Sequence, residues 1–295
     1  MGNEIFVPLT EDELFEFLET NGHNSKLVSG ATDLLPRVQR GQEKPVTLVD
    51  VSRLAALRYI RREHGVVRIG ALSTLTDLTE NKLLGNQYEA FRWLGVIFGS
   101  PPVRNLATVG GNLAAASSSE DLIPIFLALD ARVKLKSKTT CREIPLEEFI
   151  RGKRTTTLTS NELLVEVSFS ELKPNSWCTF DKVGRRERVI ISLVSLACAL
   201  TLEHDSRTVA DVRLALNRVR GKVPERARET EKIVLGNVLD EFRLDEACKT
   251  LESELRLTND FRASAAYRTK VAQNLLRDSL RYCQERVRHE GDSGA

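Results

Sequence analysis

Two short stretches of this 295-residue chain gather small residues, glycines and side-chain donors in a way that suits an anion. Ser29-Gly30-Ala31-Thr32-Asp33 follows the apolar piece Lys26-Leu27-Val28 and runs into Leu34. Thr108-Val109-Gly110-Gly111-Asn112 follows a segment opened by Pro101-Pro102. Glycine lets backbone N–H groups come close to a ligand and permits positive φ. Successive amides in such a turn form a concave, partly positive surface. Ser29, Thr32 and Thr108 can add hydroxyl donors and Asn112 an amide. Neither stretch carries a lysine, so neither is a Walker loop, and neither reads Gly-x-Gly-x-x-Gly, so a Rossmann fingerprint is missing as well. A diphosphate held between two such turns needs little formal charge, because many amides converge on it.

The remaining polar residues narrow the chemistry. Cys141, Cys178, Cys198, Cys248 and Cys283 stand far apart with no Cys-x-x-Cys pair, which argues against a disulfide frame, a zinc site or an iron–sulfur cluster in this chain. All five are expected to be small buried hydrophobes in a reducing, cytoplasmic compartment. The histidines His23, His64, His204 and His289 show no ligand spacing, so no metal site is expected. The net charge of +2 calls for neither nucleic acid nor a membrane surface as partner. Without a run of about 18 apolar residues, no membrane span is expected. The opening residues lack a secretory signal and a persuasive acylation motif.

The turns need elements to hold them. Thr10 to Glu13 is expected to start a helix as a capping box, with Leu14, Phe15, Phe17 and Leu18 on its apolar side and Asn21-Gly22 ending it. Strands are expected at Lys26–Val28, Val46–Asp50 and Val66–Gly70. Ser73 or Thr74 should cap a helix through Leu75 and Leu78. A further helix over 90–98 should stop at Gly99-Ser100-Pro101-Pro102, where consecutive prolines favour an extended or turned backbone. Ser117 to Asp121 offers caps for a helix over 122–129, and Val133 and Leu135 alternate with Lys134 and Lys136 as in a half-buried strand. Pro174-Asn175-Ser176 reads as a domain boundary. Beyond it, strands are expected at 189–202 and 209–216 and helices at 226–235 and 265–287. On the last helix, Tyr267, Val271, Leu276, Leu280, Cys283 and Val287 share a stripe and Arg268 lies off it. The residues alone thus give an α/β protein with two anion-binding turns.

A family resemblance goes further. Leu27-Val28-Ser29-Gly30-Ala31-Thr32-Asp33-Leu34-Leu35-Pro36 and Ser100-Pro101-Pro102-Val103-Arg104-Asn105-Leu106-Ala107-Thr108-Val109-Gly110-Gly111-Asn112-Leu113 resemble the two FAD loops of the molybdenum-hydroxylase flavoproteins, the family of the xanthine dehydrogenase and carbon monoxide dehydrogenase FAD subunits. The segments from Arg68 to Leu75, Ser119 to Pro124, Phe180 to Arg186 and Phe261 to Arg268 are similar to the family's other signatures and follow in its order. The resemblance implies an α+β fold: a two-subdomain α/β FAD-binding domain of the PCMH type over 1–175, divided near 58, and a C-terminal antiparallel sheet with helices over 176–288, followed by a tail to 295. It implies cofactor contacts from Leu27, Val28, Ser29, Gly30, Ala31, Thr32, Asp33, Leu34, Thr74, Thr108, Val109, Gly110, Gly111, Asn112, Ser118, Asp121, Leu164 and Lys182. No catalytic acid, base or nucleophile is expected. FAD would collect electrons from [2Fe-2S] clusters on a small partner, the molybdopterin would sit on a large partner, and the electrons would leave to an acceptor such as NAD.

Two departures from the family pattern are visible. Ala31 stands where a second glycine is usual, which the methyl group tolerates only at negative φ, and Asn217-Arg218 replaces a common Gly-Gly. Competing readings are a stand-alone FAD-dependent oxidoreductase and a nucleotide-binding interaction protein without redox activity. Asp121 also suits a helix N-terminus on dipole grounds alone. Lys182, Arg185 and Arg186 would equally serve as a solvated turn, and the arginines of the last helix as a solvated face or partner contact.

Overall fold

A computed structural model describes residues 4–186, 191–217, 224–255, 257 and 259–293. The first unit is a parallel sheet of β1 (Glu4–Phe6), β2 (Ser25–Val28) and β3 (Thr47–Asp50), ordered β1-β3-β2, with α1 (Glu11–Asn21) between β1 and β2 and α2 (Leu34–Gln39) after the first turn. Thr10 caps α1 by accepting from the Glu13 N–H at 3.2 Å. Glu13 returns a bond to the Leu9 N–H at 2.7 Å, one residue before the position a capping box requires. Leu14, Phe15 and Leu18 turn inward and pack with Val49, Val51, Leu163 and Val165.

The second unit is an antiparallel sheet of β4 (Ile60–Glu63), β5 (Val66–Gly70), β6 (Arg132–Lys136), β7 (Cys141–Pro145) and β10 (Leu163–Ser170), ordered β4-β5-β10-β6-β7. Its helices are α3 (Leu75–Glu80), α4 (Glu89–Ile97), α5 (Pro101–Leu106), α6 (Val109–Ala115), α7 (Leu122–Ala128) and α8 (Leu146–Phe149), and a small hairpin of β8 (Ile150–Gly152) and β9 (Thr155–Thr156) precedes β10. Phe91, Phe126 and Phe169 meet in its core with ring centroids 5.5–6.3 Å apart, and each such ring contributes roughly 2 kcal/mol by leaving water.

Two expectations fail here. Pro101 and Pro102 do not break the chain; they occupy the first turn of α5, where a missing N–H costs nothing because that donor would be unbonded anyway. The stretch Thr108–Asn112 is not an open loop: Thr108 caps α6 by accepting from the Gly111 N–H, and both glycines are helical.

The C-terminal sheet is antiparallel, β11 (Ser176–Val183), β12 (Val194–Leu202), β13 (Val209–Asn217) and β14 (Glu225–Arg226) in sequence order. Residue size alternates along β12. Val194, Leu196, Cys198, Leu200 and Leu202 face the core shared with α9 (Arg228–Val234), α10 (Glu241–Glu254) and α11 (Ala265–Ser293), while Ala197 and Ala199 pack into the core of the second unit. Small side chains on that face let α7 lie close against the sheet, so the second unit and the C-terminal sheet share one interior. Residues 189 and 190 of the expected strand, and Arg218, lie outside the described residues.

Three further readings change. α11 continues to Ser293, past the expected end at 287. Arg268 is buried rather than exposed and donates to the Leu193 carbonyl at 2.6 Å and to Asp260 at 2.6 Å. Cys141 is exposed while the other four thiols are buried. Among the described residues, no helix is long and apolar enough to cross a membrane.

Candidate functional site: a two-turn cleft

The first turn leaves β2, and the second opens α6 directly beside it. Ser29 Oγ and Thr108 Oγ1 share a hydrogen bond of 2.8 Å, which ties the two together across 79 residues of sequence. The approach is close because Gly30 has no side chain: a Cβ there would lie 1.7 Å from the Leu106 carbonyl oxygen. Gly110 packs on β5 in the same manner, a Cβ falling 2.7 Å from that of Ala71. Sequence alone assigned these glycines to amide exposure; at Gly30 and Gly110 the structure shows that they serve close packing as well.

The two turns differ in what their amides do. In the second, Val109 N–H donates to the Ser73 carbonyl at 2.9 Å, Gly110 N–H to the Ala71 carbonyl at 2.8 Å, Gly111 N–H to Thr108 Oγ1 at 3.1 Å and Asn112 N–H to the Thr108 carbonyl at 3.0 Å. In the first, the amides of Gly30, Ala31, Thr32 and Asp33 have no protein acceptor among the described residues. Ala31 adopts φ +61°, the left-handed region, contrary to the negative φ expected for a residue with a methyl group. Such a backbone costs on the order of 1 kcal/mol outside glycine, and here it lies within the row of amides that have no protein acceptor among the described residues.

Both turns line a cleft of about 580 Å³. Leu27, Val28, Ser29, Gly30, Ala31, Thr32, Asp33 and Leu34 form one wall, and Thr108, Gly110, Gly111 and Asn112 another. Leu164 and its neighbour Leu163 contribute from β10, Phe98 from the end of α4, and Arg154 to Thr156 from the β8–β9 hairpin.

Comparison with known proteins decides what this cleft belongs to. Residues 2–170 match the FAD binding domain in molybdopterin dehydrogenase, and residues 179–283 match the CO dehydrogenase flavoprotein C-terminal domain. The chain belongs to this flavoprotein family. It is 28% identical to the nicotinate dehydrogenase FAD-subunit of Eubacterium barkeri, covering 93% of each chain. It is 25% identical to the carbon monoxide dehydrogenase medium chain of Hydrogenophaga pseudoflava, covering 94% of this chain and 95% of that one. A solved structure of carbon monoxide dehydrogenase from H. pseudoflava superposes with a TM-score of 0.91 at 25% identity, over 97% of this chain and 98% of its counterpart. The α+β fold with a C-terminal antiparallel sheet and helices is therefore established, as is membership of an oxidoreductase family that binds FAD.

The residues of the flavoprotein fit that cofactor. Free amides of the first turn suit the diphosphate. Asn112 Oδ1 is buried with no donor, and the ribose and ribityl hydroxyls of FAD are donors of the kind it lacks. Five of the residues singled out from the sequence do not line the cleft. Thr74 caps α3 through a capping box with Asp77 and bridges to Thr108 from behind. Val109 and Ser118 are buried in the protein. Asp121 does not cap α7; its Oδ2 accepts from Lys182 Nζ at 2.5 Å, and both side chains are almost wholly buried. The pair joins the α6–α7 turn to β11 of the C-terminal sheet, with Lys182 Nζ 5.9 Å from the ring centre of Phe98, itself a lining residue. Burial drives the Asp121 carboxyl upward, and Lys182 opposes that shift.

Other groups at the cleft carried no local signal in the sequence. Arg154, held at φ +62°, binds Asp33 through two hydrogen bonds of 2.5 and 3.0 Å, and its N–H donates to the Ala116 carbonyl. Glu162 accepts from Arg142 at 2.7 and 2.9 Å, which holds its carboxyl down at about 2. Glu120 accepts from Asn112 Nδ2. Burial pushes its carboxyl up to about 8, with Asp33 and Asp121 adding to the effect. Only spatial neighbours 20–121 residues distant reveal these contacts for Glu162 and Arg154, and for Glu120 only the fold shows that its carboxylate turns into the cleft.

Proposed function

We propose that this flavoprotein is the electron-transfer subunit of a molybdenum hydroxylase, working with a large molybdopterin chain and a small chain bearing [2Fe-2S] clusters. Bound FAD supplies a carrier able to take electrons singly and give them up as a pair, to an acceptor such as NAD. The observation that carries this reading is the row of unbonded amides from Gly30 to Asp33, held against Thr108 by the Ser29 hydroxyl, in a chain that matches its family over both halves.

The protein's part is positional. Gly30 to Asp33 and Ser29 would bind the diphosphate, with Thr108 and Gly111 closing the opposite wall. Asn112 would bind a sugar hydroxyl, and Leu163 and Leu164 would shield an aromatic ring from water. The Lys182–Asp121 pair would hold the C-terminal sheet in register with the cofactor wall rather than touch the diphosphate. Under this reading the cofactor domain spans 1–175 and the C-terminal domain 176–288; β10 ends at Ser170 and β11 opens at Ser176, on either side of Pro174-Asn175. On α11, Arg277 and Arg281 pair with Glu241 and Asp245 of α10, so these arginines brace two helices of the C-terminal domain. Buried unpaired thiols agree with a reducing, cytoplasmic setting.

Purification of a tagged chain from its own cells tests the reading. Yellow protein with stoichiometric FAD, accompanied by two further chains containing molybdenum and iron, is the expected result. A yellow but solitary chain would point to a stand-alone oxidoreductase, and a colourless chain that takes up no FAD would end the flavin assignment.

A further inference from the structure

Glu120 has no role in the reading above, and its placement calls for one. Its main chain is fixed from two sides: the N–H donates to the Ser117 carbonyl at 3.2 Å, and the carbonyl accepts from Asn217 Nδ2 of β13 at 3.3 Å. The carboxylate is thereby held in the cleft, where it accepts from Asn112 Nδ2. The ionisable groups facing it are Asp33 from the first turn, Asp121 next in the chain and Arg154 from the β8–β9 hairpin. Arg154 is engaged by Asp33, and Lys182 by Asp121.

We propose that Glu120 is a proton-linked positioning residue for the cofactor: it occupies Asn112 in the ligand-free chain, and FAD binds with the Glu120 carboxyl protonated. The proposal rests on the FAD assignment. Its physical basis is charge. A diphosphate brings two negative charges to a cleft already lined by the carboxyl groups of Asp33 and Glu120, and added negative charge favours the neutral form of the carboxyl that burial has already raised. Burial and the two neighbouring aspartates already push Glu120 up to about 8, so below that pH the proton is in place before the cofactor arrives. A protonated carboxyl is also a donor. Its carbonyl oxygen still accepts from Asn112 Nδ2, so Asn112 Oδ1 stays available to the hydroxyls of the ligand.

The sign follows from linkage. Bound diphosphate raises the carboxyl's proton affinity beyond its ligand-free value, so binding takes up a proton wherever ligand-free Glu120 is ionised. FAD affinity is then constant below about pH 8 and falls above it, by up to about tenfold per pH unit. The experiment is FAD titration of the full-length, FAD-depleted chain between roughly pH 6.5 and 9.5, on the wild type and on Glu120→Gln, with calorimetry in two buffers of different ionisation enthalpy. The wild type should weaken above pH 8 and take up close to one proton there. Glu120→Gln should bind with no pH dependence and no proton uptake. A wild-type dissociation constant that is flat across the range overturns the proposal and leaves the FAD assignment standing. So does a Gln variant that keeps the wild-type slope, since a group other than Glu120 would then take up the proton. If the Gln variant does not fold, wild-type proton uptake decides alone. A wild type that binds no FAD at any pH removes both readings.

Discussion

The two turns that meet at the cleft look alike in sequence and work differently in the fold. The first spends conformational energy: Ala31 stands at positive φ, and the amides from Gly30 to Asp33 have no acceptor among the described residues. The second spends its donors on structure, since every amide from Val109 to Asn112 is bonded to Ser73, Ala71 or Thr108. One turn is a strained row of donors; the other is a rigid helix start that braces it through Thr108 and offers side-chain groups. A pair of glycine-bearing turns is thus not two copies of one device. Donors that must be free for a ligand need a neighbour whose own hydrogen bonds are complete, because an unsupported turn would relax and satisfy its amides with water or its own carbonyls.

That contrast can be broken at three levels. The largest effect is expected from filling the space between the turns. Gly30→Ala places a methyl 1.7 Å from the Leu106 carbonyl oxygen, and Gly110→Val pushes α6 off Ala71. Each should cost about 3 kcal/mol by overpacking and remove FAD from the purified chain while the C-terminal sheet stays folded. Flavin absorbance per chain and thermal melting check this, and full flavin content in either variant would show that the close approach is dispensable. Next is the hydroxyl bridge. A double-mutant cycle of Ser29→Ala and Thr108→Val should give a coupling of about 1 kcal/mol. Additive losses would mean that Thr108 matters only as the cap of α6. The smallest effect is expected from Ala31→Gly, where relief of the left-handed backbone outweighs the added freedom of the unfolded chain and stabilises the protein by about 0.5 kcal/mol. A loss of stability there would contradict the strained first turn.

Much of the framework was legible from periodicity and caps. Thr10, Thr74 and the alternation of Val133 and Leu135 with two lysines pointed to the elements found, because those signals act within a few residues. The failures share a cause. Pro101-Pro102 and Gly110-Gly111 are weak helix formers read alone, yet both sit in first helical turns, where a missing N–H or a lost Cβ costs little and tertiary packing repays it. Helical spacing puts Arg268 off the apolar stripe of the last helix, yet it is buried against the Leu193 carbonyl and Asp260.

The sequence by itself determined where the chain could bind an anion and to which family its signatures belong, since both depend on residues adjacent in the chain. Only the tertiary structure decided which amides remain free, that Asp121 answers Lys182 instead of capping a helix, and that Glu120 and Asp33 share one cleft. Those outcomes depend on charge and hydrogen-bond partners brought together from distant parts of the chain, and no local pattern encodes the partner of a buried polar group.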